Sequence, residues 1–171
     1  MLMGEKLLCI YRVCDMLCFD FGEYYERKNY KGELKPYSTK SLHILSHCFR
    51  VLAEGEIALS IQDLFEPIAK GVDPLWGEAD TLQYDRVAKE LNKRYKNERV
   101  QKIVISEAND ISIYTENLCI TAFVTDSGRD SHDESWRLFS RIPEDAPHLV
   151  VNGVGAWLGG DVGEWIGGEK N

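Results

Sequence analysis

The stretch from Ser41 to Pro67, SLHILSHCFRVLAEGEIALSIQDLFEP, limits the folds open to this chain more than any other. It is compatible with two local structures. As a helix, Leu42, Leu45, Phe49 and Leu52 would share one face at three- and four-residue steps. As strands, it divides at Ala53-Glu54-Gly55-Glu56, where Glu54-Gly55 supplies a tight reversal with glycine at positive φ. His43, Leu45, His47, Phe49 and Val51 then lie opposite Leu42, Ile44, Ser46, Cys48 and Arg50, and Ile57, Leu59 and Ile61 alternate with Ala58 and Ser60. Gly55 inside a helix would cost about 1 kcal/mol relative to Ala. The expectation is therefore a hairpin of strands 42–51 and 57–64, with a continuous helix over 41–54 as the alternative.

The flanking segments extend the β pattern. Leu8, Ile10 and Arg12 alternate with Leu7, Cys9, Tyr11 and Val13, Cys14-Asp15 is a turn, and Met16 to Phe21 forms a second strand that Gly22 closes. Residues 22–40 are polar and hold Gly32 and Pro36, so a loop is expected, carrying Tyr24, Tyr25, Tyr30 and Tyr37 as a binding rim or as a cap on the sheet edge. A helix is expected over 81–97, capped by Asp80 with Gln83 three positions on, and with Tyr84, Val87, Ala88, Leu91 and Tyr95 as its apolar stripe. A three-strand meander follows over 100–107, 111–115 and 118–124, then a strand near Ser135 to Phe139 and another over 148–151. The class is α+β: one antiparallel β-rich domain over 1–152, with a Gly/Trp-rich tail over 153–171 that is too glycine-rich for an ordinary helix. Four strands and a helix before a meander hint at two strand-meander-plus-helix units.

Charge and chemistry narrow the function. The chain has 171 residues, 44% of them apolar, and a net charge of −8. That excess of carboxylates argues against a general nucleic-acid binder and favours encounter with basic partners. Five cysteines, an odd number set mostly in apolar runs, fit a reducing cytoplasm, and no leader or membrane-length apolar run is visible. His43 and His47, four apart, could share a metal on a helix; on a strand they stand roughly 13 Å apart, so no metal or other cofactor is expected. Cys48 beside His47 points to the opposite face, and no nucleophile and base stand at usable spacing, so no enzymatic activity is expected. The loop DSGRDSHDE, 126–134, concentrates Asp126, Asp130, Asp133 and Glu134 without a calcium-loop pattern. These carboxylates, with Tyr24, Tyr25 and Tyr30, are the expected partner-binding residues, and a mobile solvated loop is the alternative.

The pieces DMLCFDFGE, SLHILSHCFRV followed by IQDLFEP, and SWRLFSRI with PHLVV recur in that order in a group of small bacterial proteins. By these pieces, over residues 7–151, the chain resembles immunity proteins of contact-dependent growth inhibition systems. The resemblance implies a Whirly-like architecture of two four-strand-plus-helix units, and a cytoplasmic protein that binds and neutralises a cognate toxin domain, a basic nuclease. Its motifs are structural, not catalytic. The DNA-binding role of Whirly proteins does not follow, given the charge of −8. A non-enzymatic interaction or scaffold module is the competing class.

Overall fold

The structure is a computed structural model that describes residues 2–45, 48–71, 73, 75, 77–125, 134–143, 146–159 and 164–165. The first strands are β1 (Leu7–Val13), β2 (Met16–Lys28), β3 (Leu34–Ile44), β4 (Phe49–Ala53) and β5 (Glu56–Ser60). A 3-10 turn (Ile61–Leu64) and helix α1 (Gln83–Tyr95) come next. Then follow β6 (Lys102–Ile105), β7 (Ile111–Tyr114), β8 (Leu118–Ala122), β9 (Trp136–Ser140), β10 (His148–Val151), β11 (Ala156–Gly159) and β12 (Glu164–Trp165). They form two antiparallel sheets, one in the order β1-β2-β3-β9-β10-β11-β12 and one in the order β5-β4-β8-β7-β6. The class is the expected antiparallel α+β. The two sheets are present, but the described residues hold a single α-helix, where paired units would give each sheet its own. No helix of the described residues is long and apolar enough to cross a membrane.

The reversal at Glu54-Gly55 is where the alternation places it, with φ of 53° and 87° at the two residues. The hairpin is shorter than expected. Residues 50–53 pair with 56–60, whereas 42–44 pair with β2 and β9 in the other sheet. Core burial explains the break. A continuous strand over 42–51 would set Leu42 and Ile44 on the face opposite Phe49 and Val51. Interrupting it between Ile44 and Phe49 lets all four bury in one core. Residues 61–64 are likewise a 3-10 turn and not the end of a strand.

The expected loop over 22–40 is instead the outer half of a long β2–β3 hairpin. Only 29–33 form a turn, where the Asn29 side chain accepts the amides of Lys31 and Glu33 at 2.9 and 3.0 Å. The register shifts between Phe21 and Tyr24, so Gly22 marks a bulge and does not end the strand. Gly22 has φ of 91°, and a Cβ there would meet Thr39 Oγ1 at 2.2 Å, so any other residue would strain the backbone and push the Thr39 side chain aside. Past the bulge, neither neighbouring strand follows the hairpin: β1 pairs β2 only as far as Phe21, and β9 pairs β3 only from Lys40. The outer half is therefore a two-stranded ribbon with both faces polar. Strands of that kind carry no apolar alternation, and the sequence pattern misses them.

Helix α1 buries Tyr84, Ala88, Leu91 and Tyr95, the expected stripe, with Val87 half-buried. Its cap differs. The Asp85 carboxylate accepts the amides of Thr81 and Leu82, both at 3.1 Å, while Asp80 at φ of 64° pairs with Lys89 at 2.8 Å. The helix also covers the open edge of β1. Asn92 accepts from the Ile10 amide at 2.7 Å and donates to the Ile10 carbonyl at 2.8 Å, replacing a neighbouring strand. The β6–β7–β8 meander forms as expected. β9 joins β3 in the larger sheet, which sends Trp136 and Leu138 into the core between the layers. The tail adds β11 to β10 through pairs from His148 to Val151.

Candidate functional site: a charged and aromatic layer on the larger sheet

Strand alternation splits the larger sheet into two faces. Leu17, Phe19 and Phe21 of β2 enter the core, so Cys18 and Asp20 face away from it. The same register carries Ser41 and His43 of β3 and Arg137 and Phe139 of β9 onto that outer face. Arg141, just past β9, reaches over it.

Arg141 organises one half of the layer. Its Nη1 donates to Ser38 Oγ and Ser41 Oγ, each at 2.5 Å, and lies 3.4 Å from Asp20 Oδ1. Ser41 Oγ donates in turn to the Asp20 carboxylate. Asp20, Ser38 and Ser41 are all buried, so this is a closed network in which the one carboxylate meets a guanidinium and a hydroxyl. The guanidinium also lies 5.0 Å from the centre of the Phe139 ring.

The other half is aromatic. His43 meets Phe139 edge-on at 4.8 Å, and His148 stacks on the same ring at 4.6 Å. Arg137 approaches His148 Nδ1 at 3.3 Å and grips Glu134 with a forked pair that includes Nε to Oε2 at 2.9 Å. Burial, assisted by the positive charge of Arg141, lowers the pKa of His43 to about 4, so the ring is neutral at neutral pH. Its Nε2 is buried and makes no hydrogen bond. Burial and then the Asp20 charge raise the Cys18 thiol to about 12 and push Cys9 up as well, so neither is a thiolate at neutral pH. No disulfide joins the five cysteines.

A pH dependence follows from His43. A folded-state pKa below the unfolded value of about 6.5 adds stability above that value, lost as pH falls through about 4. Wild type is expected to lose stability between pH 6.5 and 4, and His43→Gln to show a shallower loss there, measured by urea unfolding across the range. Equal slopes would mean that His43 does not titrate in this window.

The expected contact residues scatter over this geometry. Glu134 sits at the layer's rim, already neutralised by Arg137. Asp126, Asp130 and Asp133 lie outside the described residues. Tyr24 and Tyr25 are strand residues of the ribbon and do not belong to a loop. Lys96 Nζ lies 5.7 Å from the Tyr24 ring, and Tyr25 pairs with Tyr37 at 6.3 Å. Tyr30, at the ribbon tip, is 92% exposed. Sequence reasoning missed Asp20 and Arg141, although a carboxylate between two phenylalanines in CFDFG was the available signal. Among the described residues no three His, Cys, Asp or Glu side chains converge as metal ligands. His43 stands on a strand, and His47 lies outside the described residues. Open concavities among the described residues include one of about 450 Å³ between β1 and α1 and one of about 260 Å³ on the outer face of the smaller sheet.

No known family model, curated protein or solved structure matches the chain.

Proposed function

We propose that this is a cytoplasmic immunity protein that binds and neutralises a cognate toxin domain, a basic nuclease, and performs no chemistry of its own. The observation that carries this reading is the placement of charge. Among the described residues, the deeply enclosed carboxylates Asp20 and Asp85 each face an arginine, Arg141 and Arg12. Neither pair adds to the net charge, so the excess of 28 acidic over 20 basic residues does not come from these enclosed groups. A nuclease gathers cations to hold a phosphate backbone, and an acidic surface steers onto such cations and occupies them. The resemblance of residues 7–151 to immunity proteins supports the same conclusion. Asp126, Asp130, Asp133 and Glu134, with Tyr24, Tyr25 and Tyr30, are proposed contacts.

The reading requires that a gene adjacent to this one encode a basic toxin domain, and the test uses that domain; neighbouring genes that encode none would refute the reading. The full chain is expected to form a complex with it and to stop its cleavage of nucleic acid in vitro. Asp130→Lys with Asp133→Lys is expected to weaken the complex more at low salt than at high salt. A toxin that binds nothing and cleaves undiminished in the presence of the protein would refute the reading.

A further inference from the structure

The smaller sheet ends in β5, an outer strand with no strand beyond it among the described residues. A monomer normally covers or charges such an edge and keeps large apolar groups off it. Here β5 and the turn that follows expose Ile57, Ile61 and Ile68 at 63, 38 and 42%, with Phe65 at 50%. The core does not lack room for apolar groups at this point, since Leu59 and Leu64, interleaved with them, are buried. Four exposed large apolar side chains within twelve residues are more than a scatter of single ones, and such groupings mark interaction surfaces.

Along the segment itself the charge has one sign, with Arg50, opposite Ser60 on β4, and Lys70 flanking it. Between Val51 and Ala69 there are four carboxylates and no basic residue. Two of the four are engaged within the fold: Glu54 with Arg94 at 2.8 Å, and Asp63 with the Ser60 amide at 2.8 Å. No ion pair among the described residues answers Glu56 or Glu66, and both are exposed. Apolar anchors rimmed by unanswered carboxylates complement a partner that presents apolar side chains among lysines and arginines.

We infer that the outer strand β5 and the segment that follows it to Ile68, with Ile57 and Ile61 between Glu56 and Glu66 and Ile68 just beyond, form a docking surface for a basic protein. This deepens the reading above and rests on it, because the basic partner is the toxin domain. Apolar contact at Ile57 holds the complex together, and Glu56 and Glu66 speed its formation.

The experiment measures binding of the full chain to the toxin domain encoded beside its gene, at low and high salt. Glu56→Lys with Glu66→Lys is expected to weaken binding at least about tenfold at low salt and less at high salt. Ile57→Ser is expected to weaken it roughly fivefold or more, with little dependence on salt. Glu107→Lys with Glu116→Lys, an equal charge change at exposed positions elsewhere on the same sheet, is the comparator and should have a much smaller effect. Amide exchange on the unmodified complex, which needs no variant, should show protection over 56–68. Equal weakening by both charge pairs, or no weakening at 56 and 66, or no protection over 56–68, overturns the docking surface while the immunity reading stands on the wild-type complex. A wild-type chain that does not bind the toxin domain overturns both.

Discussion

Arg12→Ala should destabilise the fold by about 3–5 kcal/mol, the cost of leaving a buried carboxylate without its cation. The Arg12 side chain is 3% exposed and that of Asp85 10%. The guanidinium donates Nε to Oδ1 and Nη2 to Oδ2, both at 2.8 Å, so the pair is a two-bond fork. It also donates to the Cys14 carbonyl at 2.8 Å and to the Glu78 carbonyl at 2.6 Å. One side chain thus ties the end of β1, the β1–β2 turn, the approach to the helix and its first turn. Lysine cannot reproduce this fork, so Arg12→Lys should recover only part of the loss. Burial alone would push the Asp85 carboxyl up. The Arg12 hydrogen bonds, the Leu82 amide and the Arg12 charge outweigh it, and the net pKa lies below the ordinary value. A depressed carboxylate adds stability above its unfolded value, about 3.9, and that stability disappears as pH falls through the lower folded value. Acid unfolding should therefore begin at higher pH in Arg12→Ala than in wild type. Urea titration at neutral and acidic pH measures both effects. A loss below about 1 kcal/mol would place the pair with ordinary surface ion pairs. Replacing both partners with apolar residues of similar size should restore much of what the single variant loses.

The role of Arg12 is not encoded locally. Its alternation with Leu8 and Ile10 put it on their side of β1, but its partner lies 73 residues away, on a helix whose docking position no local pattern encodes. The same limit applies to Asp20 and Arg141, whose contact spans 121 residues. Local signals were legible where the chemistry is local. Glu54-Gly55 takes the positive φ that a two-residue reversal needs, and the Tyr84-Ala88-Leu91-Tyr95 stripe repeats at helical spacing because that face alone meets the core. The ribbon from Tyr24 to Ser38 was illegible for the opposite reason. Its two faces are both polar, and backbone pairing holds it without any apolar period. The sheet change between Ile44 and Phe49 could be inferred only from where the core lies, because a strand and an interrupted strand share one alternation until the buried side is known. Of the layer, the alternation set His43 on the face opposite Leu42 and Ile44, and Glu134 was expected as a partner contact. Its carboxylate turned out to serve Arg137 within the molecule.

Trp136→Ala should cost about 3–5 kcal/mol, the range for removing a large aromatic from a core. Trp136 is fully buried on β9, with Ile44 of β3 and Val151 of β10 opposite it in the ladders on either side. It belongs to the larger sheet, yet its Nε1 donates at 2.9 Å to the carbonyl of Asn109, in the turn between β6 and β7 of the smaller one. The ring therefore fills the space between the layers, and the N–H fixes their relative position. Two variants separate these roles. Trp136→Phe keeps most of the ring's volume and leaves the Asn109 carbonyl without its donor, at a cost of about 1–3 kcal/mol. Trp136→Ala removes both contributions, and the hole it opens cannot refill, because β3 and β10 hold the backbone on either side. Amide exchange distinguishes the two further. In Trp136→Phe, faster exchange should be confined to the Asn109 turn; in Trp136→Ala it should spread along β9 and into β6 and β7, as the layers lose their common anchor. Thermal or urea unfolding gives the free energies. A cost for Trp136→Ala no larger than that for Trp136→Phe would mean that the indole N–H, and not the buried ring, joins the two sheets.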